Sequence, residues 1–194
     1  GVLPIEYRPQ KSLVHAIQWA IGLEWYLLMD DPWRMAMTSD HPNGGAFTRY
    51  PEMIHLLMDR SFRKEAIERM PVEVKRRSAI ADIEREYTLG EIAILTRAAP
   101  ARILGLENKG HLGIGADADV TVYAPSSDRT AMFSRPRYVF QAGRLVAEDG
   151  EIRAEPSGRT IVSEPDYDPQ DVAAIREWFE KSYTVSFGNY VMSN

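Results

Sequence analysis

The residues with the clearest chemical potential lie in the run 38–43, which reads Thr-Ser-Asp-His-Pro-Asn. Asp40 supplies a carboxylate that can bind a metal ion or carry a proton, and His41 supplies an imidazole with the same two abilities. An ordinary loop explains the run equally well, because aspartate favours turns and caps neighbouring backbone N–H groups. Asn43, with the two glycines after it, fits a simple turn in the same way. The spacing alone leaves both interpretations open.

A complete metal site cannot be assembled from this sequence alone, because such a site needs several histidine, carboxylate or thiolate ligands. The four histidines, His15, His41, His55 and His111, include no His-x-His pair, and there is no cysteine. His15 and His55 lie in amphipathic segments, where a satisfied or exposed histidine is the simpler interpretation. Arg49 follows the loop and can pair with an anionic group of a substrate, although a surface arginine is the plainer alternative.

The elements around this run follow the pattern of an α/β fold. Ser12 has the type and position of a helix cap, and apolar residues recur behind it at helical spacing as far as Leu28. Residues 34–38 contain the contiguous run Met-Ala-Met, which predicts a short strand buried on both faces by helices. Asp40 would then lie at the C-terminal end of a parallel strand, where α/β barrels carry their catalytic groups.

Outer helices are predicted after the loop. Pro51 suits the first turn of one helix, and a charged amphipathic stretch covers residues 62–87. Thr88 and Glu91 have the spacing of a capping box, and Pro100 stops or offsets the helix that this box begins.

Beyond Gly110 the apolar period changes from helical to two, which predicts a small β unit. Its strands are expected at residues 119–123, 138–142 and 144–147, with a tight turn at Ala142 and Gly143. Asp168 is expected to cap a closing helix. We therefore predict three parts: a barrel portion over residues 1–109, a β-sandwich portion over 110–165, and a C-terminal helix and tail over 166–194.

Composition excludes several classes of function. The chain has 194 residues, 44% of them hydrophobic, and its net charge of -5 comes from charges that alternate in sign, so no basic stripe indicates a nucleic-acid partner. Polar residues interrupt the longest apolar run, and the N-terminal residues lack the pattern of a signal peptide. Without cysteine, the chain contains no disulfide and no thiolate ligand. We expect a cytoplasmic protein with no membrane partner.

Two segments resemble the amidohydrolase superfamily. Residues 110–124 read Gly-His-Leu-Gly-Ile-Gly-Ala-Asp-Ala-Asp-Val-Thr-Val-Tyr-Ala, and together with residues 99–106 they are similar to the point where the chain of that superfamily leaves its barrel and enters a β-sandwich. Residues 139–146 resemble the hairpin of that sandwich. The resemblance implies the last strand and helices of a (β/α)8 barrel, followed by part of a small β-sandwich and a C-terminal helix.

Residues 38–51 and 85–93 resemble a narrower family, the A subunits of formylmethanofuran dehydrogenase and of the formyltransferase/hydrolase complex of methylotrophic bacteria. That resemblance covers essentially the whole chain. It implies a binuclear zinc site that reversibly hydrolyses the N-formyl amide of methanofuran or methylofuran to formate and a free amine. Asp40 corresponds to the aspartate of strand eight, with roles in catalysis and metal binding. His41 and Asn43 are then candidates either to support the metal ligands or to contact the substrate, and Arg49 joins them as the substrate contact that its place after the loop suggests.

The sequence also departs from that family. The His-x-His pair, the bridging carboxylated lysine and the other histidine ligands are absent, and a whole barrel takes about 250 residues. The chain is therefore expected to be the C-terminal part of a larger subunit, inactive alone, whose partners are the missing N-terminal part and the other subunits of the complex. Two alternatives stay open: a non-catalytic assembly module of that complex, and a segment of another amidohydrolase such as a hydantoinase or a deaminase.

Overall fold

The computed structural model describes residues 8–41, 45–158, 160–161 and 167–190. The chain divides into two compact units, Gly1–Ser157 and Gly158–Asn194. The first unit combines a helical layer with a small antiparallel sheet, which agrees with the predicted α/β class. The part boundaries predicted near residues 110 and 166 stay predictions.

The first helix, α1, spans Leu13–Leu28, and the predicted cap is confirmed because the Ser12 hydroxyl accepts a hydrogen bond from the backbone N–H of His15 at 3.4 Å. One face of α1 enters the core through a stripe of four buried residues: Ala16, Ala20, Leu23 and Leu27. A 3-10 turn, Pro32–Arg34, follows, and the Asp31 carboxylate accepts from the N–H of Trp33 at its start.

The strand predicted over residues 34–38 is not formed in this structure. Residues 35–40 are irregular, and Ala36 is exposed, whereas a strand buried on both faces was expected. A parallel strand needs a neighbouring strand for its backbone hydrogen bonds. Within the described residues, this segment makes one backbone hydrogen bond to another element, from the Met37 N–H to the Leu95 carbonyl at 3.2 Å. Met37 is nevertheless buried, so the segment is anchored by its side chain rather than by a ladder.

Residues 78–87 of the predicted amphipathic stretch form a turn and irregular chain instead of helix, whereas the outer helices before them are confirmed. They are α2 (Tyr50–Met58), α3 (Arg60–Glu68) and α4 (Val72–Arg77). Asp59 separates α2 from α3, and its carboxylate caps α3 by accepting from the N–H of Phe62 at 2.8 Å. The apolar faces of these helices close over α1, and the core that results contains Ile54, Leu57, Ile67, Val74 and Ile80.

The capping box is also confirmed at the start of α5, Leu89–Ala93, where the Thr88 hydroxyl and the Glu91 carboxylate bond each other's backbone N–H groups. A π-helical turn, Ile94–Ala98, leads into α6, Ala99–Ile103. Pro100 has no N–H to donate into a regular helix, and the wide turn before it lets the helix continue. Pro100 thus offsets the helix rather than stopping it.

The β unit is an antiparallel sheet in the order β1-β2-β3-β4. Its strands are Val120–Val122, Tyr138–Gln141, Arg144–Glu148 and Glu151–Ile152. The predicted turn joins β2 to β3, and Ala142 and Gly143 both adopt positive φ there, as a tight hairpin turn requires. A helix that the sequence pattern did not predict, α7 (Arg129–Ser134), connects β1 to β2 and packs on α2.

The second unit contains α8, Val172–Ser182, and a 3-10 turn, Phe187–Asn189. The cap residue of α8 is Asp171, whereas Asp168 was predicted, and the Asp168 carboxylate instead accepts from the N–H of Gln170 in the preceding turn. The ring of Phe179 contacts that of Phe187 at 5.5 Å between centroids, so an aromatic cluster joins the helix to the turn.

Candidate active site

A cavity of about 710 Å³ opens beside the residue with the strongest predicted chemistry. Its walls come from α1, from the irregular segment 37–40, and from the helices α2 and α3. The polar and aromatic side chains in this wall are Gln10, Gln18, Trp19, Tyr26, Thr38, Ser39, Asp40, Arg49, Glu52, Phe62 and Arg69. Asp40 therefore lies in the wall of a concave site, although the parallel strand that was expected to carry it is not formed.

Asp40 is held in an uncommon backbone conformation. Its φ is 53°, in the left-handed region that most side chains avoid, and its N–H donates to the Thr38 hydroxyl at 3.1 Å. Within the described chain, no hydrogen bond or ion pair engages its carboxylate, which is exposed. The hydroxyl of the neighbouring Ser39 is buried and has no partner among the described residues. The exposed Asp40 carboxylate is thus left available for a ligand at this point of the wall.

Two tyrosines hold the segment that leads to Asp40. The Tyr26 hydroxyl donates to the Ala36 carbonyl and accepts from the Thr38 N–H, each at 3.4 Å, and the Tyr50 hydroxyl donates to the Met37 carbonyl at 3.3 Å. Burial raises the pKa of the Tyr26 phenol, so at neutral pH the phenol keeps the proton that it donates. These side-chain bonds replace part of the missing strand ladder. The sequence analysis missed both tyrosines, although a tyrosine in an otherwise apolar helix is a usable signal because its hydroxyl needs a partner.

The three implied substrate contacts fall in different places. Arg49 lies in the cavity wall, but its guanidinium is paired with the Glu52 carboxylate at 2.5 Å. His41 is exposed and lies outside the cavity lining, with its ring edge-on to Phe47 at 5.1 Å between centroids. Asn43 lies outside the described residues. The structure therefore brings Asp40 and Arg49 to one cavity and leaves His41 at its margin.

The other histidines have structural partners. His55 is buried in a stack with Phe62, with ring centroids 3.8 Å apart, and its Nδ1 lies 2.8 Å from the Thr130 hydroxyl, which links α2 to α7. His15 accepts from the Arg8 N–H, and His111 accepts from a backbone N–H of its own loop. The interpretation of His15 and His55 as ordinary satisfied histidines is confirmed.

Asp40 fits a metal site as one ligand among several. No group of three or more histidine, cysteine, aspartate or glutamate side chains able to hold a metal ion occurs among the described residues. An unpaired, exposed carboxylate in a cavity wall has the chemistry of a single hard oxygen ligand, and catalytic zinc sites take three protein ligands. The described part of this chain therefore does not complete such a site.

Among the helices of the described ranges, none combines the length and apolar character that crossing a bilayer requires.

The α/β fold is consistent with a hydrolase of the amidohydrolase class, and comparison with known proteins establishes that class. The model of the amidohydrolase family matches residues 7–147, and the chain belongs to this family.

Individual relatives narrow the comparison. One relative is the A subunit of the formyltransferase/hydrolase complex Fhc of Methylorubrum extorquens, which we call the Fhc A subunit. It is 52% identical over 161 residues, and the match covers 83% of this chain and 29% of that protein. FwdA of Methanocaldococcus jannaschii is 39% identical, across 100% of this chain and 36% of its own. The crystal structure of the Methylorubrum extorquens complex FhcABCD with methylofuran matches with a TM-score of 0.78 at 44% identity, over 96% of this chain and 34% of the matched chain. This chain thus spans about a third of the length of these relatives.

Proposed function

We propose that this chain is a segment of a zinc-dependent amidohydrolase subunit that reversibly hydrolyses N-formylmethanofuran or formylmethylofuran to formate and a free amine. The observation that carries the proposal is the 52% identity to one component of a formyltransferase/hydrolase complex. The unpaired Asp40 carboxylate in the wall of a cavity supports it.

Asp40 has two roles in this proposal. Its carboxylate is one ligand of the metal centre, whose other ligands come from the rest of the subunit. Zinc, when bound, supplies Lewis acidity and lowers the pKa of a coordinated water. Asp40 accepts the proton of the attacking water and delivers it to the amide nitrogen as the C–N bond breaks, so that the water oxygen joins the formyl carbon. The free carboxylate fits this task because no described partner has to release it first.

Arg49, His41 and Asn43 are proposed to contact the substrate. Arg49 lies in the cavity wall, where its guanidinium pairs with the exposed Glu52 carboxylate. An exposed ion pair contributes only about 0–1 kcal/mol to stability, so Arg49 can exchange Glu52 for an anionic group of the substrate with little loss of free energy. His41 needs a rotation from its present contact with Phe47 to reach the cavity. The partners that meet this chain are proposed to be the remainder of its own polypeptide together with the other components of such a complex.

The experiment is hydrolysis by a reconstituted subunit. This chain is co-expressed with the part of the Methylorubrum extorquens Fhc A subunit that it does not match, and formate release from formylmethylofuran is compared with hydrolysis of a cyclic ureide. We expect formate release that Asp40→Asn abolishes while leaving co-purification intact. Full activity of Asp40→Asn would favour the assembly-module alternative. Hydrolysis of the ureide alone would favour the hydantoinase-type alternative.

A further inference from the structure

The hydroxyl of Tyr26 holds the backbone just ahead of Asp40. It donates to the Ala36 carbonyl and accepts from the Thr38 N–H, each at 3.4 Å. One phenol can serve both groups, because its oxygen carries one proton and two acceptor lone pairs. Ala36 and Thr38 flank a single residue, so the two bonds fix the path of the chain at this point.

A second hydrogen bond carries this constraint from Thr38 to Asp40. The Thr38 hydroxyl accepts from the Asp40 N–H at 3.1 Å. The φ of Asp40 is 53°, and a side-chain-bearing residue keeps such a conformation only where its surroundings fix it. Tyr26 and Thr38 therefore act in series on the backbone from which the Asp40 carboxylate projects.

The end of α1 that carries Tyr26 is itself fixed. The Tyr26 carbonyl lies in the last turn of the helix, where carbonyls lack a helical donor, and the buried Tyr87 hydroxyl donates to it. The Arg85 guanidinium donates to the carbonyls of Leu27 and Met29 and lies 4.5 Å from the centroid of the Tyr87 ring. The Tyr26 hydroxyl is thus presented from a rigid support.

We propose that Tyr26 is a positioning residue for Asp40, whose hydroxyl fixes the carboxylate in the cavity wall through the backbone of Thr38. The catalytic consequence rests on the proposed function, in which Asp40 moves a proton from water to the amide nitrogen. A group that must meet both atoms tolerates little displacement, since a misplacement of about 1 Å can lower a rate about 100-fold. Tyr26 has this effect without touching the reacting atoms.

The kinetic test uses this chain co-expressed with the unmatched part of the Methylorubrum extorquens Fhc A subunit. Tyr26→Phe removes the hydroxyl, and the control is Tyr123→Phe, because Tyr123 is also half-buried and packs on Phe133 beside the β unit. We expect Tyr26→Phe to lower kcat for formylmethylofuran about tenfold or more and to change KM less than about twofold. The control should leave both constants within about twofold of the wild type. An unchanged kcat in Tyr26→Phe, or an equal loss in the control, would overturn the proposal.

A double variant separates positioning from general destabilisation. Thr38→Val removes the second acceptor of the series, and the exposed position of Thr38 leaves the core intact. Because Tyr26 and Thr38 act through one another, the double variant should lose hardly more kcat than the weaker of the two single variants. Losses of kcat that multiply would show independent effects and contradict the proposal.

A backbone measurement decides the positioning without the reaction. We expect ¹⁵N relaxation of the 194-residue chain to give an order parameter near 0.85 for the Asp40 N–H, as in a rigid backbone, and a value below about 0.6 in Tyr26→Phe. Tyr123→Phe should retain the wild-type value. A wild-type complex that releases no formate would contradict the proposed function alone. A mobile Asp40 N–H in the wild type, or an unchanged order parameter in Tyr26→Phe, would overturn the positioning role.

Discussion

Arg63 is predicted to be a main stabilising residue of the helical layer, although it has no carboxylate partner in its burial site. Its side chain is 0% exposed. One guanidinium nitrogen donates to the Leu56 carbonyl at 2.8 Å, and the other donates to the carbonyls of Ile83 and Arg85 at 3.0 and 2.9 Å. The Leu56 carbonyl is in the last turn of α2, where the helix itself provides no N–H donor for it, so Arg63 joins the end of α2 to the loop before α5.

The size of the effect follows from two opposing contributions. A hydrogen bond with a charged group contributes about 1.5–3 kcal/mol, and Arg63 makes three. Burial works in the opposite direction, since it lowers the pKa of the Arg63 guanidinium by disfavouring the charged form. Arg63→Met keeps the length of the side chain but leaves three carbonyls without their donor. We expect the free energy of unfolding to fall by about 3–5 kcal/mol, because each carbonyl left without a donor costs about 1–3 kcal/mol and the relief from burying the charge offsets part of the sum.

The assay is urea unfolding of the 194-residue chain, followed by circular dichroism. Lys64→Met is the matched control, because Lys64 is the next residue of α3 and is exposed. The control should change the free energy of unfolding by less than about 0.5 kcal/mol. A loss below about 1 kcal/mol for Arg63→Met would refute the reasoning, since the three bonds would then add almost nothing beyond the cost of burying the charge.

Two further predictions concern local structure. The hydrogen bond from the Thr88 N–H lowers the pKa of the Glu91 carboxyl. Its contribution to stability is therefore present above the unfolded pKa of about 4.3 and is lost as the pH falls through the folded pKa. When the free energy of unfolding is measured at pH 7 and at pH 3, Glu91→Gln should lose less stability in acid than the wild type does. Gly110→Ala should destabilise the chain by about 2 kcal/mol or more in thermal unfolding, because φ is +76° and a Cβ would lie 2.7 Å from the Arg97 carbonyl. Gly22→Ala meets no atom within 4 Å and should stabilise α1 by up to about 1 kcal/mol, measured by the same thermal unfolding.

Local signals predicted the local elements well. The Ser12 cap, the box of Thr88 and Glu91, and the turn at Ala142 and Gly143 each depend on a few neighbouring residues, and the structure confirms them. Period-two alternation located the first three strands of the sheet for the same reason, whereas the two-residue strand β4 was not predicted. The helix α7 was missed, although Asp128 caps it by accepting from the N–H of Ala131, because a six-residue helix shows too little periodicity.

Features that depend on distant contacts were not predictable in the same way. The run Met-Ala-Met at residues 35–37 has the composition of a buried strand. A strand forms only where a neighbouring strand provides backbone hydrogen bonds, however. Within the described chain, the hydroxyls of Tyr26 and Tyr50 and the carbonyl of Leu95 provide the contacts instead. Of the predicted site, Asp40 and Arg49 reach one cavity, and His41 lies outside its lining because its ring packs on Phe47. Residue types identified the chemistry, whereas side-chain packing decided which groups meet.

The central claim is that Asp40 belongs to a metal centre shared between this chain and the rest of the subunit. The most direct measurement is zinc content by mass spectrometry. Three samples are compared: this chain alone, its complex with the unmatched part of the Methylorubrum extorquens Fhc A subunit, and the same complex carrying Asp40→Asn. We predict no zinc in the chain alone, zinc in the wild-type complex, and a clear loss of zinc together with formate release in the variant. Equal zinc and equal formate release in the wild-type and Asp40→Asn complexes would contradict the account.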